Sequence, residues 1–126
     1  MKNLFAVIAG ITVLLVSGLA IAGAIDLTDK KEIAAASKIS ASIDRLGEKV
    51  MSCIEANNGS REGCVCLSDK QCKFKKEYAD AKESFCSALT QYPHWRGKLV
   101  NSRLAATGES YSFSAEGLAK QFNDCQ

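Results

Sequence analysis

Six cysteines are the residues of this 126-residue chain whose types and spacing most directly indicate chemistry. An even number of cysteines in a short chain with an export segment is typical of a disulfide framework formed in an oxidising compartment. The sequence therefore predicts three disulfides and no free thiol. The six candidate site residues are Cys53, Cys64, Cys66, Cys72, Cys86 and Cys125.

The geometry of a helix narrows the pairing of these cysteines. Cys86 lies 14 residues after Cys72 on a predicted helix, which is about 21 Å, whereas a disulfide spans about 4.4 to 6.8 Å between Cα atoms. Its expected partner is therefore Cys125. The other four cysteines are expected to pair with one another near one loop. A bond between Cys64 and Cys66 would close a very small ring, so a crossed pairing is favoured over that bond.

Two other uses of the cysteines compete with disulfides. Four thiolates would suit Zn²⁺, but the spacing lacks the paired C-x₂₋₄-C segments of structural zinc sites. The Cys64-Val65-Cys66 segment would suit redox chemistry or copper(I), but no second thiol pair or methionine cluster accompanies it. Covalent haem attachment is excluded because the chain has no Cys-x-x-Cys-His. The expectation is a protein without a metal or cofactor.

Catalytic motifs are absent from the sequence. His94 is the only histidine, and its neighbours Tyr92, Pro93 and Trp95 are typical of a packed turn rather than of a catalytic triad. The chain has no phosphate-binding Gly-x-x-x-x-Gly-Lys loop, no Gly-x-Ser-x-Gly elbow and no His-Glu-x-x-His pair. We therefore expect a protein that is not an enzyme.

Charge argues against a nucleic-acid partner. The chain has 16 basic and 14 acidic residues, a formal net charge of +2, which gives no strong global field. Acidic residues directly follow the densest basic patch, so the patch is predicted to be a solvated helix face. That patch consists of Lys70, Lys73, Lys75 and Lys76, close in sequence to Arg61.

An uncharged apolar run covers residues 3–25, between Lys2 and Asp26. As a helix it would measure about 34 Å, enough for a bilayer core of about 30 Å. Small residues also offer cleavage sites after Ala22 and after Ala24, as in a secretory signal. Both interpretations remain open.

These interpretations divide the chain in two. Residues 1–24 are predicted to be a signal peptide or a retained membrane anchor, and 25–126 a single disulfide-stapled domain. If the segment is not cleaved, the protein contacts the membrane through Leu4 to Ile25. In either case the domain is exported, to a periplasmic, extracellular or membrane-anchored location facing away from the cytoplasm.

Hydrophobic periodicity predicts two long helices that pack as an antiparallel hairpin. Asp29 and Glu32 resemble a capping box that starts a helix over residues 29–56, which Asn57-Asn58-Gly59 ends. A second helix is predicted to be capped by Ser68 with Gln71, and to stop at Tyr92-Pro93. The apolar stripe of the first helix is Ile33, Ala36, Ile39, Ile43, Leu46, Val50 and Ile54, and that of the second is Phe74, Tyr78, Ala81, Phe85 and Leu89.

In the last third of the chain, the hydrophobic residues recur with a period of two. Lys98 to Leu104 and Ser110 to Phe113 alternate as strands around a Thr107-Gly108 turn, which predicts a β-hairpin. Ser114 is expected to cap a short final helix containing Leu118 and Phe122. The predicted fold class is α+β.

The order of these parts resembles type IV pilins and pseudopilins, in which an apolar N-terminal helix runs into an amphipathic one ahead of a β-containing head. The resemblance rests on Trp95-Arg96-Gly97-Lys98, Gly108 and Tyr111-Ser112-Phe113-Ser114 ahead of Cys125. It implies that Leu4 to Ile25 is the packing helix of a filament or membrane-held subunit. The Gly-ended leader of that family, and the acidic residue five positions into its mature helix, are absent here.

Three functions follow from these observations. The first is an exported, non-enzymatic envelope or secreted protein that acts through a protein partner or through self-assembly. The second is a pilin-like anchored or filament subunit. The third is a small thiol redox or metal-binding protein that uses the cysteine cluster.

Overall fold

The structure, a computed structural model, describes residues 23–103 and 107–126. Almost all of the predicted export segment, residues 1–22, lies outside this part. The described chain is α+β, as predicted. Its elements in order are β1 (Ala24–Asp26), α1 (Lys30–Ala56), α2 (Lys75–Gln91), β2 (Leu99–Arg103), β3 (Ser110–Ser114) and α3 (Ala115–Gln121), with short 3₁₀ turns at Pro93–Trp95 and Asn123–Cys125.

Helix α1 begins one residue after the predicted start, with Asp29 as its cap, and ends at Ala56 as predicted. The Asp29 carboxylate accepts hydrogen bonds from the backbone N–H groups of Lys31 and Glu32, both at 3.1 Å, which supplies partners for two donors that a helix start leaves open. At the other end, Asn58 and Gly59 have φ angles of 56° and 88°. This left-handed backbone turns the chain away from the helix axis.

Helix α2 starts later than the predicted cap. Its N-terminal cap is Phe74, which makes no side-chain capping bond. The Ser68 hydroxyl does accept from the Gln71 N–H at 3.1 Å, but this bond lies in the preceding loop, where Leu67 N–H donates to the Gln71 carbonyl at 3.2 Å. The predicted cap is therefore wrong, because this short turn uses the Ser68 bond before the helix begins.

The sheet has three strands in the order β1-β2-β3. Strands β2 and β3 form the predicted antiparallel hairpin, with Val100 opposite Phe113; Leu104, predicted in the first strand, lies outside the described residues. Strand β1 was not predicted. It pairs parallel to β2, with Ile25 opposite Val100, and it begins at Ala24, one residue before the predicted domain boundary.

One hydrophobic core joins the two long helices to the sheet and to α3. The stripes of α1 and α2 face each other, roughly as in the predicted hairpin, and aromatic rings fill the space towards the sheet and α3. Phe85 meets Phe113 edge to face at 6.4 Å, and Tyr78 meets Phe122 at 5.4 Å. Ser114 caps α3 as predicted, since its hydroxyl accepts from the Gly117 N–H at 3.0 Å.

Candidate functional site

All six cysteines form disulfides. Cys86 on α2 pairs with Cys125 in the last 3₁₀ turn, as predicted from the helix geometry. Because disulfides persist in oxidising compartments and are rare in the cytosol, the three bonds are consistent with a location outside the cytosol.

The remaining four cysteines pair in sequence order, so the expected crossed pairing is wrong. Cys53 pairs with Cys64, and Cys66 with Cys72. The physical reason lies in two tight local turns. The left-handed backbone after α1 returns the chain so that Cys64 meets the last turn of the helix, and the turn closed by Leu67 and Gln71 brings Cys66 to Cys72.

These bonds leave no cysteine thiolate for zinc, copper or redox chemistry in this structure. Among residues 23–103 and 107–126, no group of three or more His, Cys, Asp and Glu side chains is placed to hold a metal ion. The candidate site of this protein is therefore sought outside its sulfur atoms.

His94 lies in a hydrogen-bonded cluster with Glu32 and Trp95. Its Nε2 is 2.6 Å from Glu32 Oε1, and the same oxygen accepts a hydrogen bond from Trp95 Nε1 at 2.9 Å. Glu32 thus does not complete the predicted capping box with Asp29. It joins the first turn of α1 to the turn that follows α2.

An apolar groove lies between the C-terminal half of α1, the loop that carries Cys64 and Cys66, and α3. Its volume is about 290 Å³. We call this the α1 groove, and the loop over residues 57–74, which two disulfides hold, the stapled loop. The groove is lined by Ile43, Leu46, Gly47, Val50, Met51, Ile54, Gly59, Arg61, Val65, Cys66, Leu118, Gln121 and Phe122.

The α1 groove is not predictable from the sequence pattern. Periodicity places Val50 and Ile54 on a helix stripe and Leu118 on a final helix, but it does not tell which parts of a stripe stay partly uncovered. One signal was present: Val65 and Leu67 are apolar residues in an otherwise polar loop. Both are exposed, by 39% and 67%, and they are the large hydrophobic residues that stand out from the described surface.

The electrostatics of the α1 groove depend on one side chain, because Arg61 is the only charged residue among the described residues of its lining. Within the described residues, the Arg61 guanidinium makes no ion pair or hydrogen bond. On the opposite wall, the Gln121 amide donates to the Cys66 carbonyl at 3.5 Å, which ties α3 to the stapled loop. The groove thus combines apolar walls with one uncompensated positive charge.

A second cleft of about 300 Å³ lies between α1 and α2 and is polar. Ser42 and Ser84 hydroxyls are 3.1 Å apart, and Arg45 Nη2 donates to Ser42 at 3.3 Å. Its lining mixes basic Lys38 with acidic Asp80. These bonds connect the two helices and leave no uniform charge for a ligand.

Two titratable groups near the α1–sheet contact have shifted pKa values. Burial raises the pKa of the Tyr111 hydroxyl, against a hydrogen bond with Ser40 that lowers it, and the negative charge of Asp44 raises it further. Desolvation, and then repulsion from Glu48, raise the pKa of Asp44. Both shifts favour neutral side chains at this contact.

Comparison with known proteins assigns no relative: neither a protein-family model, nor a curated protein, nor a solved structure matches the chain. Within residues 23–103 and 107–126, none of the helices combines the length and the apolar composition that a bilayer span requires.

Proposed function

We propose that this chain is an exported, non-enzymatic interaction protein that acts by binding. The observation that carries the proposal is that every one of the six cysteines is in a disulfide. A domain of about 100 residues buries a limited core, and disulfides of this kind stabilise small domains outside the reducing cytosol. The uncharged segment ahead of β1 supports the same location.

The binding surface in this proposal is the α1 groove with the adjoining tip of the stapled loop. Val65 lines the groove and Leu67 lies beside it in sequence, and both are exposed. Contiguous exposed apolar surface of this kind marks interaction sites. Two disulfides hold the loop, so little conformational entropy is lost when a partner binds. The partner is another protein or a second copy of this chain.

Intact mass with disulfide mapping of the protein isolated from its natural source tests the proposal. We expect the N-terminal segment to be removed, all six cysteines to resist alkylation, and the peptides to be linked as Cys53–Cys64, Cys66–Cys72 and Cys86–Cys125. Recovery from the cytosol with free or metal-bound thiols would refute it and would favour a thiol redox or metal-binding role.

A pilin-like subunit is the second candidate. The observation that favours it is the order of parts: a 27-residue helix, α1, then a β-hairpin, and a C-terminal region closed onto α2 by the Cys86–Cys125 bond. In such a subunit the apolar segment stays attached ahead of β1. Retention of residues 1–22 in the natural protein, together with its recovery in membranes or filaments, would support this candidate over the first.

A further inference from the structure

The α1 groove extends along α1. Its lining follows the helix from Ile43 to Ile54, which corresponds to about 16 Å at the rise of an α-helix. Most of the described side chains along this length are apolar. The groove therefore suits an extended hydrocarbon chain.

The two ends of the groove differ in burial and polarity. At one end, Ile43, Leu46 and Phe122 are 5%, 7% and 2% exposed. At the other end, α1 has terminated and Arg61 is exposed to solvent. A ligand with one apolar and one polar end therefore fits in one direction only, with its apolar end near Ile43.

The positive charge of Arg61 at the open end favours a ligand whose polar group is negative. Arg61 is the only charged residue in the lining, and its guanidinium has no partner among the described residues. A guanidinium binds carboxylate and phosphate groups through paired hydrogen bonds. No acidic side chain lines the groove to compete for it.

We propose that the α1 groove binds one free, single-chain anionic amphiphile. Its saturated chain lies along α1 and its anionic headgroup contacts Arg61. The volume is at the lower end of the range for ligand pockets, so it holds one chain and excludes a two-chain lipid. This inference rests on the proposed function only in taking this region as the binding surface: the amphiphile lies in the groove, and the protein partner contacts the exposed loop beside it at Val65 and Leu67.

Calorimetric titration of decanoate, below the concentration at which it forms micelles, tests the inference. The protein is produced with its own export segment and purified with its disulfides intact. We expect one decanoate per chain and weaker binding of the uncharged 1-decanol. Arg61→Gln is expected to weaken decanoate binding about tenfold or more, because a charge-assisted hydrogen bond is lost, and to leave 1-decanol binding unchanged.

Two further variants control the experiment. Arg96→Gln changes an equally exposed arginine near the opposite end of α1 and should leave both affinities unchanged. Val50→Phe places a ring in the groove and should abolish the binding of both ligands, with the thermal unfolding midpoint reporting whether the domain is still folded. Because Arg61 is exposed and has no partner in the described part of the chain, Arg61→Gln remains informative even if Val50→Phe unfolds the domain.

Three results would overturn the inference: equal affinity for decanoate and 1-decanol, an unchanged decanoate affinity in Arg61→Gln, or binding to anionic phospholipid vesicles without binding to decanoate. The last result would indicate that this surface binds a membrane and not a free amphiphile. None of these results changes the processing or the disulfides of the natural protein, so failure of the ligand and failure of the proposed function are distinguished.

Discussion

The Glu32 carboxylate connects the start of α1 to the turn after α2. Its Oε1 accepts a hydrogen bond from Trp95 Nε1 at 2.9 Å and lies 2.6 Å from His94 Nε2. The Trp95 side chain is fully buried, whereas His94 is 57% exposed. The indole N–H therefore depends on Glu32 for a hydrogen-bond acceptor, and the imidazole does not.

Replacement of Glu32 by Ala is expected to lower the free energy of unfolding by about 1 to 3 kcal/mol, because it leaves the buried indole N–H without an acceptor. Glu32→Gln keeps an acceptor oxygen and should lower the free energy of unfolding by a smaller amount. Urea denaturation followed by Trp fluorescence measures both. Glu55→Ala, at an exposed position of the same helix, is the control and should change stability little; an equal loss in Glu55→Ala would contradict this role of Glu32.

Asp44 is expected to lower the stability of the domain as pH rises. Its pKa is raised in the folded state by desolvation and by Glu48, so the folded protein holds this proton to a higher pH than the unfolded chain does. Ionisation of Asp44 therefore destabilises the fold, and the cost develops as pH rises from the unfolded pKa, about 3.9, through the folded one.

Asp44→Asn should accordingly stabilise the domain at pH 7, by less than about 1 kcal/mol because the side chain is exposed and screened by solvent. The difference from the parent protein should vanish below the unfolded pKa of the carboxyl group. Unfolding free energies measured from pH 3 to pH 7 test this. A stabilisation that persists at pH 3 would show that the ionised carboxylate is not its cause.

Among the elements, one disulfide connects the C-terminal part of the domain, which contains the β-hairpin and α3, to helix α2. Cys86 lies on α2 and Cys125 follows α3, with a sequence separation of 39 residues. The other two disulfides close short loops, with separations of 11 and 6 residues. On the chain-entropy account, the longest loop contributes the most stability.

Removal of the long-range disulfide by Cys86→Ser together with Cys125→Ser should cost about 4 kcal/mol. Amide hydrogen exchange should rise in β2, β3 and α3 and stay slow at the centres of α1 and α2. The matched control, Cys66→Ser with Cys72→Ser, should cost about 2 kcal/mol and should raise exchange in the stapled loop instead. Equal acceleration throughout the domain in the first variant would show that the bond does not act on these elements selectively.

The predictability of an element from sequence depends on where its partners lie. The sequence predicts helix α1 to within one residue, because its Asp29 cap, its apolar stripe and its C-terminal glycine are all local signals. Strand β1 was missed, because three residues carry no period and its pairing with β2 joins positions 75 residues apart. The crossed cysteine pairing is wrong for a local reason, since the tight turns after α1 and at Ser68–Gln71 bring cysteines that are near in sequence into contact.

The candidate site was less predictable than the fold. The sequence located the cysteines and the Cys86–Cys125 bond, but the α1 groove depends on how far α3 and the stapled loop lie from α1. That separation is a tertiary distance, and no spacing within any one segment encodes it. Arg61 likewise gains its importance from the apolar residues that surround it in space, not from the basic residues near it in the chain.

At the scale of the whole molecule, strand β1 is the first described element after the predicted export segment. The Leu99 N–H donates to the Gly23 carbonyl at 3.1 Å, and the Leu27 N–H donates to the Asn101 carbonyl at 2.9 Å. Gly23 has a φ of 128°, which favours glycine at this position. The described hydrogen-bonded unit thus includes Gly23, whereas the sequence alone allows cleavage after Ala22 or after Ala24.

Cleavage after Ala22 leaves this unit whole, whereas cleavage after Ala24 removes Gly23 and Ala24, the first residues that pair with β2. If the segment is a cleaved signal, we therefore expect the natural protein to begin at Gly23. N-terminal sequencing and intact mass measure this directly. A protein engineered to begin at Ile25 is expected to be less stable by about 1 kcal/mol, through loss of the bond to Leu99. A natural N-terminus at Ile25, with equal stability of the two forms, would show that Gly23 and Ala24 contribute nothing to the stability of the domain.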